Sequence, residues 1–182
     1  MRQAVDAGAD ILLHVPMKEP FPAELAKDIA EKKVAVAPTL VMMESFSRCG
    51  QFGYKESDYP NAEAAVRSLH DYGVTILTAT DANSGGFVPA VAHGASIHRE
   101  MKLLVKAGLT PLEALQGASA KAAVAFGIEK AGRIAPGWPA TMVLVEGRPD
   151  REITDTAKIK KVWVRGCPLW EACPSAGSTE KD

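Results

Sequence analysis

The apolar positions of this chain fall into two styles, and the change comes near residue 130. Before it, short apolar runs of strand length alternate with stretches whose apolar residues recur every three or four positions. Ile11-Leu12-Leu13-His14 is the first run, ended by Val15-Pro16. Val34 to Leu40 is the second, and Val74 to Thr80, ending at Asp81, is the third. Nearly continuous apolar runs of this kind predict strands buried on both faces. Between them, Leu25, Ala26, Ile29 and Ala30 share one helical face, and Asn61 can cap a helix running through Ala65, Val66 and Leu69 to Gly73. His93 to Ala107 predicts a further helix, stopped by Gly108. Thr110-Pro111-Leu112-Glu113 is a capping box with proline at the first helical position, and Ala120 to Phe126 is a last helix closed by Gly127. Arg2 to Ala7 reads as the end of a helix, with Gly8 just past it. Alternating strands and helices give a parallel sheet covered by helices.

From Lys130 the pattern turns antiparallel. Gly132 to Ile134, Ala140 to Val145 and Ile159 to Arg165 are short strand candidates separated by Pro/Gly turns. Residues 44–60, rich in Ser, Gly, Tyr and charge, are the longest expected irregular stretch, of a length typical of functional or lid loops. Residues 171–182 are small and polar, and are expected to be disordered.

Composition changes this picture little but narrows the function. The 182 residues carry 21 basic and 22 acidic side chains, a net charge of −1, which argues against nucleic acid as a partner. Three cysteines (Cys49, Cys167, Cys173) have no metal-finger spacing and imply no disulfide framework, so a reducing, cytoplasmic setting is expected. The longest uncharged apolar run, Val34 to Met43, is too short to span a bilayer, and the first ten residues show no signal-peptide core.

Candidate chemistry gathers where strands end. In parallel α/β proteins ligands bind at the carboxyl ends of strands, and His14 and Asp81 close two of the three runs. Each alone is equally a satisfied strand-end histidine or a turn aspartate before Asn83-Ser84-Gly85. Together, a neutral imidazole and a carboxylate suit Zn²⁺ or a similar divalent ion, yet two protein ligands are fewer than a catalytic zinc site uses. His93, just past the Gly-rich turn, could face the same cavity and contact substrate. His70 reads as solvent-exposed, and His98 as a core or surface residue of its helix. Arg48 could pair a substrate carboxylate bidentately, or be a solvated surface arginine. A nucleotide-binding domain is disfavoured, because no Gly-rich fingerprint follows any run.

Several segments in order, AVDAGADILLH (4–14), VAVAPTL (34–40), TATDAN (78–83), HGASIHREMKLLVKAGLTPLEAL (93–115), GRIAPGWPATMVLVEG (132–147) and IKKVWVRG (159–166), carry a resemblance. The chain resembles the C-terminal part of the amidohydrolase superfamily, in the imidazolonepropionase-like and Xaa-Pro dipeptidase-like branch. The resemblance implies strands six to eight of a (β/α)8 TIM barrel over residues 1–130, followed over 131–170 by part of a small composite β-sandwich. It implies that His14 is the metal-ligand histidine ending the sixth barrel strand. It also makes Asp81, ending the eighth, both metal ligand and general base in hydrolysis of an amide, cyclic amide or dipeptide by metal-activated water. The cofactor implied is a divalent metal, zinc above others, as one or two ions. The family's His-x-His pair, bridging lysine and fifth-strand histidine have no counterpart among these residues. The chain alone is therefore expected to be inactive and to bind metal weakly. A missing barrel half or a homo-oligomer partner could complete it. The alternative is a catalytically inactive half-barrel remnant that binds a partner.

Overall fold

A computed structural model describes residues 1–169; the expected disordered tail at 171–182 lies outside the described residues. The chain opens with α1 (Arg2–Asp6) and β1 (Ile11–Leu13), then α2 (Ala23–Glu31), β2 (Ala35–Ala37) and α3 (Leu40–Cys49). After α4 (Tyr59–Asp71) come α5 (Ser96–Lys106), α6 (Pro111–Gly117) and α7 (Ala120–Ala125). The antiparallel part holds β3 (Met142–Val145), a 3-10 turn at Ile153–Ala157, β4 (Ile159–Val164) and β5 (Cys167–Pro168).

β1 and β2 pair in parallel, with Leu12 opposite Val36. The third apolar run is thinner than expected. It forms a single parallel bridge, Val36 to Ile76, in which Val36 N donates to Thr75 O at 2.9 Å and Leu77 N donates to Val36 O at 2.8 Å. The three segments nonetheless lie side by side in the expected order, β1, β2, then 74–77.

Helices cover this sheet because their apolar stripes match it. Leu25, Ala26 and Ile29 of α2, Ala62, Ala65, Val66 and Leu69 of α4, and Met101, Leu103 and Leu104 of α5 are all buried in one core with Leu12, Val36 and Ile76. α6 rides closest. A Cβ added at Gly117 would lie 2.8 Å from Thr78 Oγ1 and 3.0 Å from Ile76 O, so glycine is what lets this helix touch the strand backbone. Its start is the capping box read from sequence: Thr110 Oγ1 accepts from Glu113 N, and Glu113 Oε2 accepts from Thr110 N at 2.8 Å. Gly8 closes α1 in a left-handed conformation, with Gly8 N bonded to Val5 O and Ala9 N to Ala4 O, a Schellman end.

Two expectations fail locally. Residues 44–60 are mostly helical: α3 runs to Cys49, stops at the left-handed Gly50, and two 3-10 turns lead into α4. No glycine or proline interrupts Leu40 to Cys49, and Leu40 to Met43 are buried, so packing overrode the polar Ser and Arg positions. Gly132 to Ile134 forms no strand; Ile134 stands in solvent at 88% exposure.

β3 pairs antiparallel with β4, with Met142 opposite Trp163, and β5 adds to the other edge of β4. This sheet buries little of its own. Its segment touches the helical layer through the 3-10 turn, which packs on α5 and buries Ile153 in the main core. Cys49, in the helical layer, is free and exposed.

Candidate active site

The strand ends share an unusual backbone. His14 (φ 64°), Thr39 (φ 53°) and Asp81 (φ 53°) are all left-handed, and none is glycine. A β-branched residue in this region is a genuine outlier, held at a cost of about 1–3 kcal/mol that surrounding structure must offset. Each of the three turns the chain sharply as it leaves the carboxyl end of its parallel segment. His14 is tied to the ladder through its N–H to Ala37 O at 2.9 Å, so its position follows from β2.

His14 is half-buried, and its Nδ1 lies 2.6 Å from Thr39 Oγ1. Thr39 is buried, and its hydroxyl donates to Pro38 O at 2.7 Å. By position Thr39 is the N-cap of α3, yet its side chain does not cap the helix. Glu100 does so from α5: its Oε1 accepts from Leu40 N at 2.9 Å and its Oε2 from Val41 N at 2.7 Å. Glu100 is fully buried, and that burial pushes its carboxyl up to about 8 against the pull of the two N–H donors. The sequence reading missed Glu100. The available signal was its place between Ser96 and Leu104 on the buried stripe of α5, where an acid must have partners.

Asp81 is exposed. Asn83 Nδ2 donates to its carbonyl at 3.0 Å, and Asn83 Oδ1 accepts from Gly85 N, folding the Gly-rich turn expected there. The loop 84–90 is closed by a bridge between Asn83 and Val91. His93 lies outside the expected helix, exposed in the turn before Ser96. Arg48 is not in a loop. It ends α3, where its Nη2 binds Glu44 Oε1 at 2.9 Å, and Glu44 is also gripped by Arg99 through Nε at 2.8 Å. The guanidinium of Arg48 thus already has a carboxylate partner.

The other histidines are structural. His70 Nε2 lies 3.2 Å from Glu113 Oε1, half-buried rather than solvent-exposed. Glu113 is held down to about 2, chiefly by the Thr110 N–H and further by the Thr110 hydroxyl and His70. His98 Nδ1 lies 3.1 Å from Thr156 Oγ1, and desolvation, with Lys102 nearby, lowers its imidazole.

Aromatic rings ridge the same end of the sheet. Phe52 and Tyr54 have centroids 5.4 and 6.2 Å from that of Phe46, Phe87 lies tilted 5.6 Å from Phe52, and Lys18 sits 5.1 Å over Tyr54. Segments after all three strands therefore contribute. A cavity of about 670 Å³ lies elsewhere, at the amino ends of the strands beside Asp10, Lys33, Lys121 and Arg133. It is remote in the fold from the residues that end the strands.

Residues 20–169 match the model of the amidohydrolase family. The chain belongs to the amidohydrolase family. It is 34% identical over 88 residues to an adenine deaminase of Bacillus velezensis, covering 48% of this chain and 15% of that protein. It is 37% identical over 89 residues to an imidazolonepropionase of Cereibacter sphaeroides, covering 49% of this chain and 22% of that one. A solved Xaa-Pro dipeptidase with methionine in its active site is similar in fold, with TM-score 0.72 at 22% identity, over 92% of this chain and 41% of its own. The chain thus spans well under half of the relatives it matches. Its α/β architecture is that of amidohydrolase structures over most of its length.

Members of this family are generally metal-dependent, so the fit of a metal can be tested here. His14 offers an imidazole and Asp81 a carboxylate, donors of the right kind. Their number falls short: among the described residues no three His, Cys, Asp or Glu side chains come together to hold an ion. No helix among the described residues is long and apolar enough to cross a membrane.

Proposed function

We propose that this chain is the C-terminal part of a metal-dependent hydrolase of carbon–nitrogen bonds, acting on a small amide, cyclic amide or dipeptide. The observation that supports it most is the family match over residues 20–169, with His14 and Asp81 at the ends of parallel segments as the likeness requires. On this reading residues 1–130 are the last three βα units of a barrel and 131–170 part of a sandwich. His14 and Asp81 are two ligands of a zinc or similar ion whose others come from outside these residues. A bound ion of this kind makes water acidic enough to attack at neutral pH. Asp81, which is exposed, would take the proton of the attacking water and return it to the departing nitrogen. His93 and the aromatic ridge border the substrate. The setting is cytoplasmic.

The experiment is hydrolysis of a panel of Xaa-Pro dipeptides, N-acyl amides and cyclic amides by the polypeptide as its source makes it, with Asp81→Asn alongside. The expected loss in kcat is about 10²–10⁴-fold, the usual worth of general acid–base catalysis. Full activity in Asp81→Asn sinks the assignment. One observation favours a second reading, an inactive half-barrel that completes another chain: no three-ligand cluster forms among the described residues. A native polypeptide of 19.3 kDa without activity, co-purifying with a larger chain, would establish it.

A further inference from the structure

Thr39 has one hydroxyl proton and two neighbours within hydrogen-bond distance. Pro38 O, at 2.7 Å, is an acceptor only; His14 Nδ1, at 2.6 Å, is either donor or acceptor depending on tautomer. If the hydroxyl donated to Nδ1, two oxygen lone pairs would face each other at 2.7 Å with no proton between them. Both contacts are satisfied in one arrangement alone: Thr39 donates to Pro38 O, and His14 Nδ1–H donates to Thr39 Oγ1.

Thr39 is free to do this because of Glu100. A threonine at an N-cap ordinarily spends its oxygen on the first-turn N–H groups of its own helix. Here the Leu40 and Val41 N–H groups are taken by the two oxygens of the buried Glu100 side chain, 60 and 59 residues away in sequence. The same two bonds pin the first turn of α3, and with it the left-handed backbone that aims Thr39 at His14.

We propose that Thr39, held by Glu100, is a positioning residue that locks His14 as the Nδ1–H tautomer and leaves Nε2 as the nitrogen with the free lone pair. A ligating histidine is ordinarily oriented through its other ring nitrogen, so the use of that lone pair rests on the hydrolase reading above. The tautomer itself does not.

The test is a long-range ¹H–¹⁵N spectrum of the metal-free, ¹⁵N-labelled chain near pH 8.5, about two units above the ordinary imidazole value. His14 is assigned by the signal lost in His14→Gln. The expected result is a protonated, pyrrole-type shift at Nδ1 and a bare, pyridine-type shift at Nε2. Thr39→Val keeps shape and β-branching but removes the hydroxyl, and is expected to exchange the character of the two nitrogens. Thr39→Ser should restore the native pattern, and Glu100→Gln, which offers one acceptor for two N–H groups, should give a mixture. An Nε2–H form in the native chain overturns the proposal, and so does an unchanged pattern in Thr39→Val. If Thr39→Val fails to fold, the native and Thr39→Ser spectra decide. No metal is present, so failure of the hydrolase reading leaves this result standing, and a wrong tautomer leaves that reading untouched.

Discussion

The helical layer and the second sheet of this chain obey opposite rules of burial. Up to residue 118 each helix hides its apolar stripe against the parallel segments, and the core includes Ile29, Leu40, Leu69 and Leu104 at zero exposure. Beyond it, among the described residues, only Ala123 and Ile153 are buried apolar residues, and nine of the fourteen exposed large apolar side chains lie between Val124 and Leu169. Both regions form regular, hydrogen-bonded structure. Backbone pairing is therefore enough to shape β3 and β4, but the stability of the chain resides in the first region. Exposed apolar side chains in that number are what a covering surface would bury.

The sharpest way to break this contrast is to shorten one leucine in each region. Leu104→Ala removes a fully buried side chain and is expected to cost about 2–5 kcal/mol in urea unfolding. Leu144→Ala, at 53% exposure, is expected to stay within about 0.5 kcal/mol. Equal losses would mean that the second sheet is covered in solution.

The next largest effect concerns charge inside the first region. Glu100, with its carboxyl raised to about 8, holds a proton in the folded chain that the unfolded chain gives up near 4.5. Stability is then expected to fall as pH rises from about 5 to 8 and to level off above. Glu113, lowered to about 2, works the other way, contributing stability above 4.5 that is lost as pH falls toward 2. Glu100→Gln should flatten the upper slope and leave the acid limb intact. A slope that survives the substitution would assign it to another group.

The smallest effect belongs to Arg48. Its pair with Glu44 is exposed, and Arg99 remains to hold that carboxylate, so Arg48→Ala is expected to change stability by less than about 0.5 kcal/mol. The informative readout is kinetic. A rise in KM confined to acidic substrates would show that Arg48 leaves Glu44 for substrate, and equal effects on neutral ones would rule that out.

Most of the helical layer was legible because its signals are local. The capping box at Thr110, the stop at Gly8 and the stripes of α2 and α4 depend on residues within a turn or two of each other. The third strand was read too long because an apolar run does not reveal how many partners its backbone finds. α3 was hidden because Leu40 reads as the end of a strand and residues 44–60 as an irregular stretch, though Leu40 to Cys49 lie on one helix. His14 and Asp81 could be named as strand-end residues. What joins His14 to Thr39 and Glu100 could not be read, since it depends on contacts 25 and 60 residues apart and on left-handed backbone at residues that rarely adopt it.

Among the described residues, Ile153 is the one large apolar side chain that carries the second sheet into the core. Beside it the same turn is tied to α5 by the contact between His98 and Thr156, so the second sheet is seated through one short turn. Residues 131–169 are therefore expected to tolerate substitution more readily than the helical layer, with Ile153 the exception.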